Sequence, residues 1–239
     1  MRRLRIGVWG LGRIGSLHAE NVASSAGRAE LVAVADPIKK LAVAVARRFG
    51  ARIYESPTQM LKKEKLDGVV IATPTRLHTE HVALACKGHV PMLLEKPMAL
   101  TLKEADKIVS IVRNSGGKFQ LGFNRRFDPG YHKAKQMIVK GALGKPLIVK
   151  TCARDPMPPP DEYIRVSGGI FVDECIHDID IALWLMDSRV KRVLAVGKTL
   201  VYPQFAKYGD YDNGVAVLEF QTGALGIIEG SRTSKYGYD

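Results

Sequence analysis

Short continuous apolar runs separated by helical stretches dominate the first half of the chain. Leu4 to Trp9, Leu31 to Ala35, Arg52 to Tyr54, Asp67 to Ala72, Val90 to Leu94 and Lys118 to Gly122 read as strands. Between them Ser16 to Ser25, Ile38 to Phe49, Thr58 to Lys63, a segment ending at Lys87, and Leu102 to Asn114 read as helices. Strict alternation of this kind predicts a doubly wound parallel sheet, whose strands are apolar on both faces because helices cover both.

Past residue 123 the pattern changes, so the chain is divided into 1–123 and 124–239. A helix from Pro129 to Lys140 precedes a strand from Leu147 to Arg154. Asp155 to Tyr163 contains four prolines, which fix the backbone and remove donors, and reads as a stiff loop without regular structure. A helix is expected from Phe171 to Met186, then strands Arg192 to Leu200, Gly214 to Gln221 and Ala224 to Arg232. The fold class is therefore α/β for the first part, followed by an α+β part with an open, largely antiparallel sheet.

On the helix 171–186, a period of about 3.6 residues puts Asp173, His177, Asp180 and Trp184 on one stripe, beside an apolar stripe of Ile176, Ile179, Leu183 and Met186. Burying several charges is costly, so the polar stripe is expected to face solvent, an interface or a site.

Composition narrows the function classes. Net charge is +12, yet the basic residues are scattered over element ends and helix faces with no stripe of interleaved aromatics, so nucleic acid is not the expected partner. An anionic small ligand fits the excess better. Cys86, Cys152 and Cys175 are odd in number and far apart, which supports neither a disulfide framework nor a metal site, and a reducing, cytoplasmic setting follows. The apolar run after Arg5 is interrupted at Gly7 and Gly10, too short for a secretion signal, and no run is long enough to span a membrane.

Three stretches carry chemistry. The first strand ends in Gly10-Leu11-Gly12-Arg13-Ile14-Gly15 and runs into a helix, the arrangement in which glycines admit a pyrophosphate to the backbone and to the helix N-terminus. Asp36 closes the second strand 21 residues after Gly15, where a carboxylate accepts hydrogen bonds from adenosine ribose hydroxyls and repels a 2′-phosphate. NAD is favoured over NADP, although Lys39 and Lys40 stand nearby. Asp36-Pro37 also reads as a helix cap, and the two roles are compatible. Thr73-Pro74-Thr75 and His78 follow the fourth strand, where short polar residues either lie over a cofactor or serve as turn and cap. The fifth strand ends in Glu95-Lys96-Pro97: a lysine at the carboxyl end of a strand points at the ligand crevice, and the proline holds it extended. Taken alone, Glu95 and Lys96 also read as a solvated charge pair.

Taken together, Gly10-x-Gly12-Arg13-Ile14-Gly15, Ala35-Asp36-Pro37, Ala72-Thr73-Pro74-x-x-x-His78 and Glu95-Lys96-Pro97 resemble the glucose-fructose oxidoreductase / inositol dehydrogenase / MocA family of nicotinamide-dependent oxidoreductases. Gly168-Gly169-x-x-x-Asp173-x-x-x-His177-Asp178-x-Asp180 resembles that family's second-domain signature. Arg154-Asp155-Pro156, the run 166–171 and Tyr236-Gly237-Tyr238-Asp239 are similar to inositol 2-dehydrogenases in particular. The resemblance implies a Rossmann domain, NAD held by Gly10, Gly12, Arg13, Ile14, Gly15, Asp36, Thr73, Pro74, Thr75, His78, Glu95 and Lys96, and no metal. It implies a Lys96–Pro97 peptide in the cis form and a catalytic set of Lys96, Asp173 and His177. Substrate contacts from Arg126, Asp155 and Tyr236 are implied as well, with a cyclic polyol or sugar as substrate. Family members assemble as dimers or tetramers and continue through further strands and a closing helix, so this sequence reads as short at its C-terminus. Two other readings stay open: a glycoside hydrolase assisted by NAD, and a non-catalytic dinucleotide sensor or scaffold.

Overall fold

Apolar strands that alternate with amphipathic helices have one economical arrangement, a sheet with helices on both faces, and the first half of the chain adopts it. The computed structural model describes residues 2–237. The strands β1 (Leu4–Trp9), β2 (Ala29–Ala35), β3 (Arg52–Tyr54), β4 (Gly68–Ile71), β5 (Met92–Leu94) and β6 (Phe119–Leu121) form a six-stranded sheet in the order β3-β2-β1-β4-β5-β6. Every pairing in it is parallel. Helices α1 (Arg13–Ala23), α2 (Lys39–Phe49), α3 (Pro57–Lys63), α4 (His78–Lys87) and α5 (Leu102–Ser115) connect them.

Successive residues of a strand point to opposite faces, and each face has its own core: Trp9, Val69 and Ile71 on one, Val8, Val34 and Val70 on the other. Helix ends follow local chemistry. Ser56 Oγ accepts from Gln59 N ahead of α3, and Thr101 Oγ1 accepts from Glu104 N ahead of α5. Gly50 and Gly116 close α2 and α5 in the left-handed conformation.

The chain separates into two compact units, 1–122 and 123–239. The second holds α6 (Pro129–Val139), β7 (Ile148–Arg154), α7 (Asp161–Ser167), α8 (Ile170–Asp173), α9 (Ile176–Met186), β8 (Val190–Lys198), β9 (Asn213–Phe220) and β10 (Leu225–Ser231). Its sheet runs β7-β10-β9-β8; β8–β9 and β9–β10 are antiparallel, whereas β7 pairs with β10 in parallel. One face buries Ala216, Leu218, Phe220 and Ile228 against Ile170, Ala182 and Met186 of α8 and α9.

Two local expectations are corrected. The proline-rich stretch is irregular only as far as Pro160, because the following residues meet no backbone obstacle and form α7 with Pro160 at its N-cap. The helix expected from Phe171 to Met186 is broken into α8 and α9, and Cys175 N reaches back to Ile170 O at 2.9 Å. Cys175 is fully buried at the break, against Gly230 of β10, where a Cβ would come within 2.4 Å of its sulfur. No described helix is long and apolar enough to cross a membrane.

Candidate active site

In a doubly wound sheet of this order the ligand crevice opens where the strand order reverses, between β1 and β4 at their carboxyl ends. The glycine loop after β1 lies there. Gly10 has φ +82°, and a Cβ on it would come within 2.6 Å of Ala72 O at the end of β4. A Cβ on Gly15 would fall 1.9 Å from Gly10 O, so the turn closes only with glycine at both places. Gly12, the N-cap of α1, has nothing within 4 Å of where its Cβ would be, which leaves an open cradle over the first amides of that helix. Arg13 is exposed and Ile14 half-buried beside it. These features fit a dinucleotide pyrophosphate, which needs close backbone approach and the positive end of a helix.

Asp36 is buried at the end of β2; its Oδ2 accepts from Leu11 N at 2.7 Å and its Oδ1 from Ile38 N at 2.7 Å. The carboxylate thus ties the glycine loop to the start of α2. After β4, the Thr73 hydroxyl lies 2.8 Å from His81 Nδ1, Pro74 is exposed, and Thr75 opens a 3₁₀ turn. His78 is 1 % exposed. Its Nε2 lies 3.0 Å from Thr73 O, and its Nδ1 lies 3.0 Å from Pro97 O and 3.2 Å from Met98 O. The ring clamps the loops after β4 and β5 together, and burial holds its pKa below the usual imidazole value although the carbonyls oppose this.

After β5, Glu95 Oε1 meets His18 Nε2 of α1 at 2.6 Å, and Glu95 Oε2 accepts from Lys96 N at 3.1 Å. Burial pushes the Glu95 carboxyl up, but His18 and the Lys96 amide more than offset it and hold it below the ordinary range. The Lys96–Pro97 peptide is cis. His18 was not singled out in the sequence, although its place one turn past Gly15 puts it on the same side of α1 as the glycine loop.

In the second unit, the two carboxylates of the polar stripe, Asp173 and Asp180, are buried because arginines supply the counter-charges, while His177 and Trp184 are half-buried. Asp173 is 9 %, Asp178 1 % and Asp180 6 % exposed. Arg126, expected to contact substrate, donates Nε and Nη2 to the two oxygens of Asp180, a bidentate pair, while Arg125 Nη1 reaches Asp178 Oδ2 at 3.2 Å. Burial raises the Asp178 carboxyl against the pull of Arg125. His177 is half-buried in the first turn of α9, with the Phe123 ring edge-on at 6.2 Å between centroids. Asp173, at the end of α8, takes the Tyr163 hydroxyl on Oδ1 at 2.7 Å and Arg232 Nη2 on Oδ2 at 3.0 Å. The helix break therefore separates Asp173 and His177 onto consecutive elements. Asp155 is exposed, its backbone bonded to Ser231 and Ser234, and Tyr236 is fully exposed. Tyr238 and Asp239, part of the C-terminal match, lie outside the described residues.

The oxidoreductase-family model with an NAD-binding Rossmann fold matches residues 4–123, and the GFO/IDH/MocA C-terminal domain model matches 131–239. The chain belongs to the GFO/IDH/MocA oxidoreductase family. Within that family, scyllo-inositol 2-dehydrogenase (NAD(+)) of Bacillus subtilis is 42% identical over 99% of this chain and 70% of its own length. The crystal structure of a myo-inositol dehydrogenase from Corynebacterium glutamicum superposes with a TM-score of 0.93 at 36% identity, over 99% of this chain and 71% of that one. Scyllo-inositol dehydrogenase from Lactobacillus casei, solved with bound NAD(H) and scyllo-inositol, superposes with a TM-score of 0.88 at 28% identity, over 97% of this chain and 71% of that one. The family's cofactor is the group for which the Gly10–Gly15 cradle is shaped.

Proposed function

We infer that this chain is an NAD-dependent oxidoreductase that oxidises a secondary hydroxyl of a cyclic polyol, inositols being the substrate class. The observation that carries the reading is the open cradle at Gly12, bounded by Gly10 and Gly15 where no Cβ fits. The relatives named above for inositol dehydrogenation support the substrate class. Residues suited to hold the dinucleotide are Gly10, Gly12, Arg13, Ile14 and Gly15 at the pyrophosphate and Asp36 at the ribose. Thr73, Pro74 and Thr75 on the loop after β4, and Glu95 and Lys96 after β5, complete the set. When bound, the nicotinamide supplies the acceptor for the hydride.

The chain's own residues handle the proton. A neutral imidazole titrates in the range needed to accept a hydroxyl proton, and His177 takes that role. Lys96, after β5, is the cation suited to stabilise the charge that develops on a hydroxyl oxygen as its proton leaves. Asp173, fixed by Tyr163 and Arg232, orients the acceptor or the substrate. Arg126 acts through Asp180 in this reading, and Asp155 and Tyr236 are the exposed candidates for substrate contact. Association into a dimer or tetramer and a cytoplasmic setting belong to the same reading, the latter supported by three free thiols.

The test is direct: NAD and a panel of inositols and aldoses are added, and NADH is followed by its absorbance. NADH is expected with at least one inositol. The Lys96→Met variant is expected to lose turnover by at least about 100-fold while retaining NAD affinity. No NADH across the panel, with NAD bound, overturns the reading.

A further inference from the structure

Arg232, one residue past β10, is fully buried, an uncommon state for arginine, and its guanidinium is divided among three carboxylates. Nη2 donates to Asp173 Oδ2 at 3.0 Å, Nη1 to Asp210 Oδ2 at 3.0 Å and Nε to Glu174 Oε2 at 3.1 Å. Its backbone N–H donates to Asp212 O at 2.8 Å, and the guanidinium carbon lies 5.2 Å from the centre of the Phe205 ring. The three acceptors come from the end of α8, the break before α9, and the loop after the 3₁₀ turn Pro203–Tyr208.

We propose that Arg232 is a positioning residue for Asp173, fixing the aim of that carboxylate through a buried clamp shared with Glu174 and Asp210. The use to which Asp173 is put rests on the dehydrogenase reading above; the clamp itself does not.

One cation cannot hold three buried anions at low cost, and the partners show how the charge is shared. Asp210 Oδ1 also accepts from Ile170 N at 2.8 Å and Tyr211 N at 2.7 Å, so backbone amides carry part of its charge. Asp173 has the Tyr163 hydroxyl. Glu174 Oε1 is buried without a hydrogen-bond partner. Burial, with Asp155 and then Asp173 adding repulsion, pushes the Glu174 carboxyl up to about 8 against the pull of Arg232. That shift favours a proton on Glu174 near neutral pH, which weakens its claim on the guanidinium relative to Asp173 and Asp210 although Nε still points at its Oε2. Titrating Glu174 puts a second negative charge on the residue adjoining Asp173. The other ionisable groups near the cluster are Cys175, whose thiol burial pushes up to about 12, and Asp178 and Arg125 beyond it.

The experiment compares wild type, Arg232→Lys, Arg232→Gln and Glu174→Gln by polyol kinetics across pH and by carbonyl ¹³C titration of labelled glutamate. Expected for Arg232→Gln is a fall of about 100-fold in kcat, with KM for NAD within about twofold and partial rescue in Arg232→Lys. Glu174→Gln is expected to lose an inflection near pH 8. Folded Arg232 variants with kcat within about twofold of wild type overturn the proposal. If the Arg232 variants do not fold, Asp210→Asn, which removes another member of the clamp, decides: kcat within about twofold of wild type overturns it, and a fall of at least about tenfold with KM for NAD unchanged upholds it. Should wild type turn over no polyol, the dehydrogenase reading fails separately. The clamp is then judged by the carboxyl ¹³C signal of Asp173 in labelled aspartate, a shifted signal in folded Arg232→Lys upholding it and an unmoved signal overturning it.

Discussion

Gly15 is where a single methyl group would do most damage in the nucleotide loop, because its Cβ would sit 1.9 Å from the carbonyl oxygen of Gly10. Gly15→Ala is expected to destabilise the fold by about 2–4 kcal/mol and to weaken NAD binding at least about tenfold, as checked by urea unfolding and by calorimetry. Asp212 is a second sensitive residue. It is fully buried and accepts from Leu200 N, Val201 N and Tyr202 N. Burial alone would raise its carboxyl, but these three amides hold it below the ordinary range. A depressed carboxylate contributes stability that is present above the unfolded value of about 4 and lost as pH falls through the folded value. Asp212→Ala is therefore expected to cost about 3 kcal/mol at neutral pH, with the difference from wild type shrinking in acid, a trend that thermal melts across pH will show. The sequence made Gly10, Gly15 and Lys96 legible because their demands are local: a turn, a close approach, a strand end before proline. Arg232, Arg125 and His18 were not legible in this way. Their partners lie 22 to 59, 53 and 77 residues away, and nothing in a local window distinguishes a buried arginine from a solvated one.

At the scale of elements, the break between α8 and α9 does more than interrupt a helix. It places Asp173 and Glu174 against Arg232 while leaving His177 in the first turn of α9. Periodicity could not reveal it, since Phe171 to Met186 contains neither glycine nor proline; the contact of Cys175 with Gly230 marks it in three dimensions. Gly230→Ala introduces a Cβ at 2.4 Å from the Cys175 sulfur and is expected to cost about 1–3 kcal/mol. Adding Cys175→Ala should recover at least half of that loss, and a double-mutant cycle of unfolding free energies measures the coupling. Element type and order in the first unit were readable throughout, because parallel strands buried on both faces leave continuous apolar runs. The parallel pairing of β7 with β10 was not, as strand order within a sheet has no local signature.

For the whole molecule, the account makes the dinucleotide a stabilising ligand of the folded state. NAD at about 100 times its dissociation constant is expected to add about 2.7 kcal/mol, raising the melting temperature of wild type, while Gly15→Ala at the same concentration gains far less. Net charge of +12 accompanies a surface on which pairs such as Arg2–Asp67 and Lys191–Glu219 are exposed, so such pairs add little to stability. The central claim is that hydrogen passes from a polyol carbon to the nicotinamide. It is tested most directly by supplying NAD and inositol deuterated at every ring carbon and analysing the reduced cofactor by mass spectrometry and NMR. The account predicts one deuterium at C4 of the reduced nicotinamide for wild type, and none formed by Lys96→Met. Reduced cofactor without deuterium, or none formed from any deuterated inositol while NAD is bound, would contradict it.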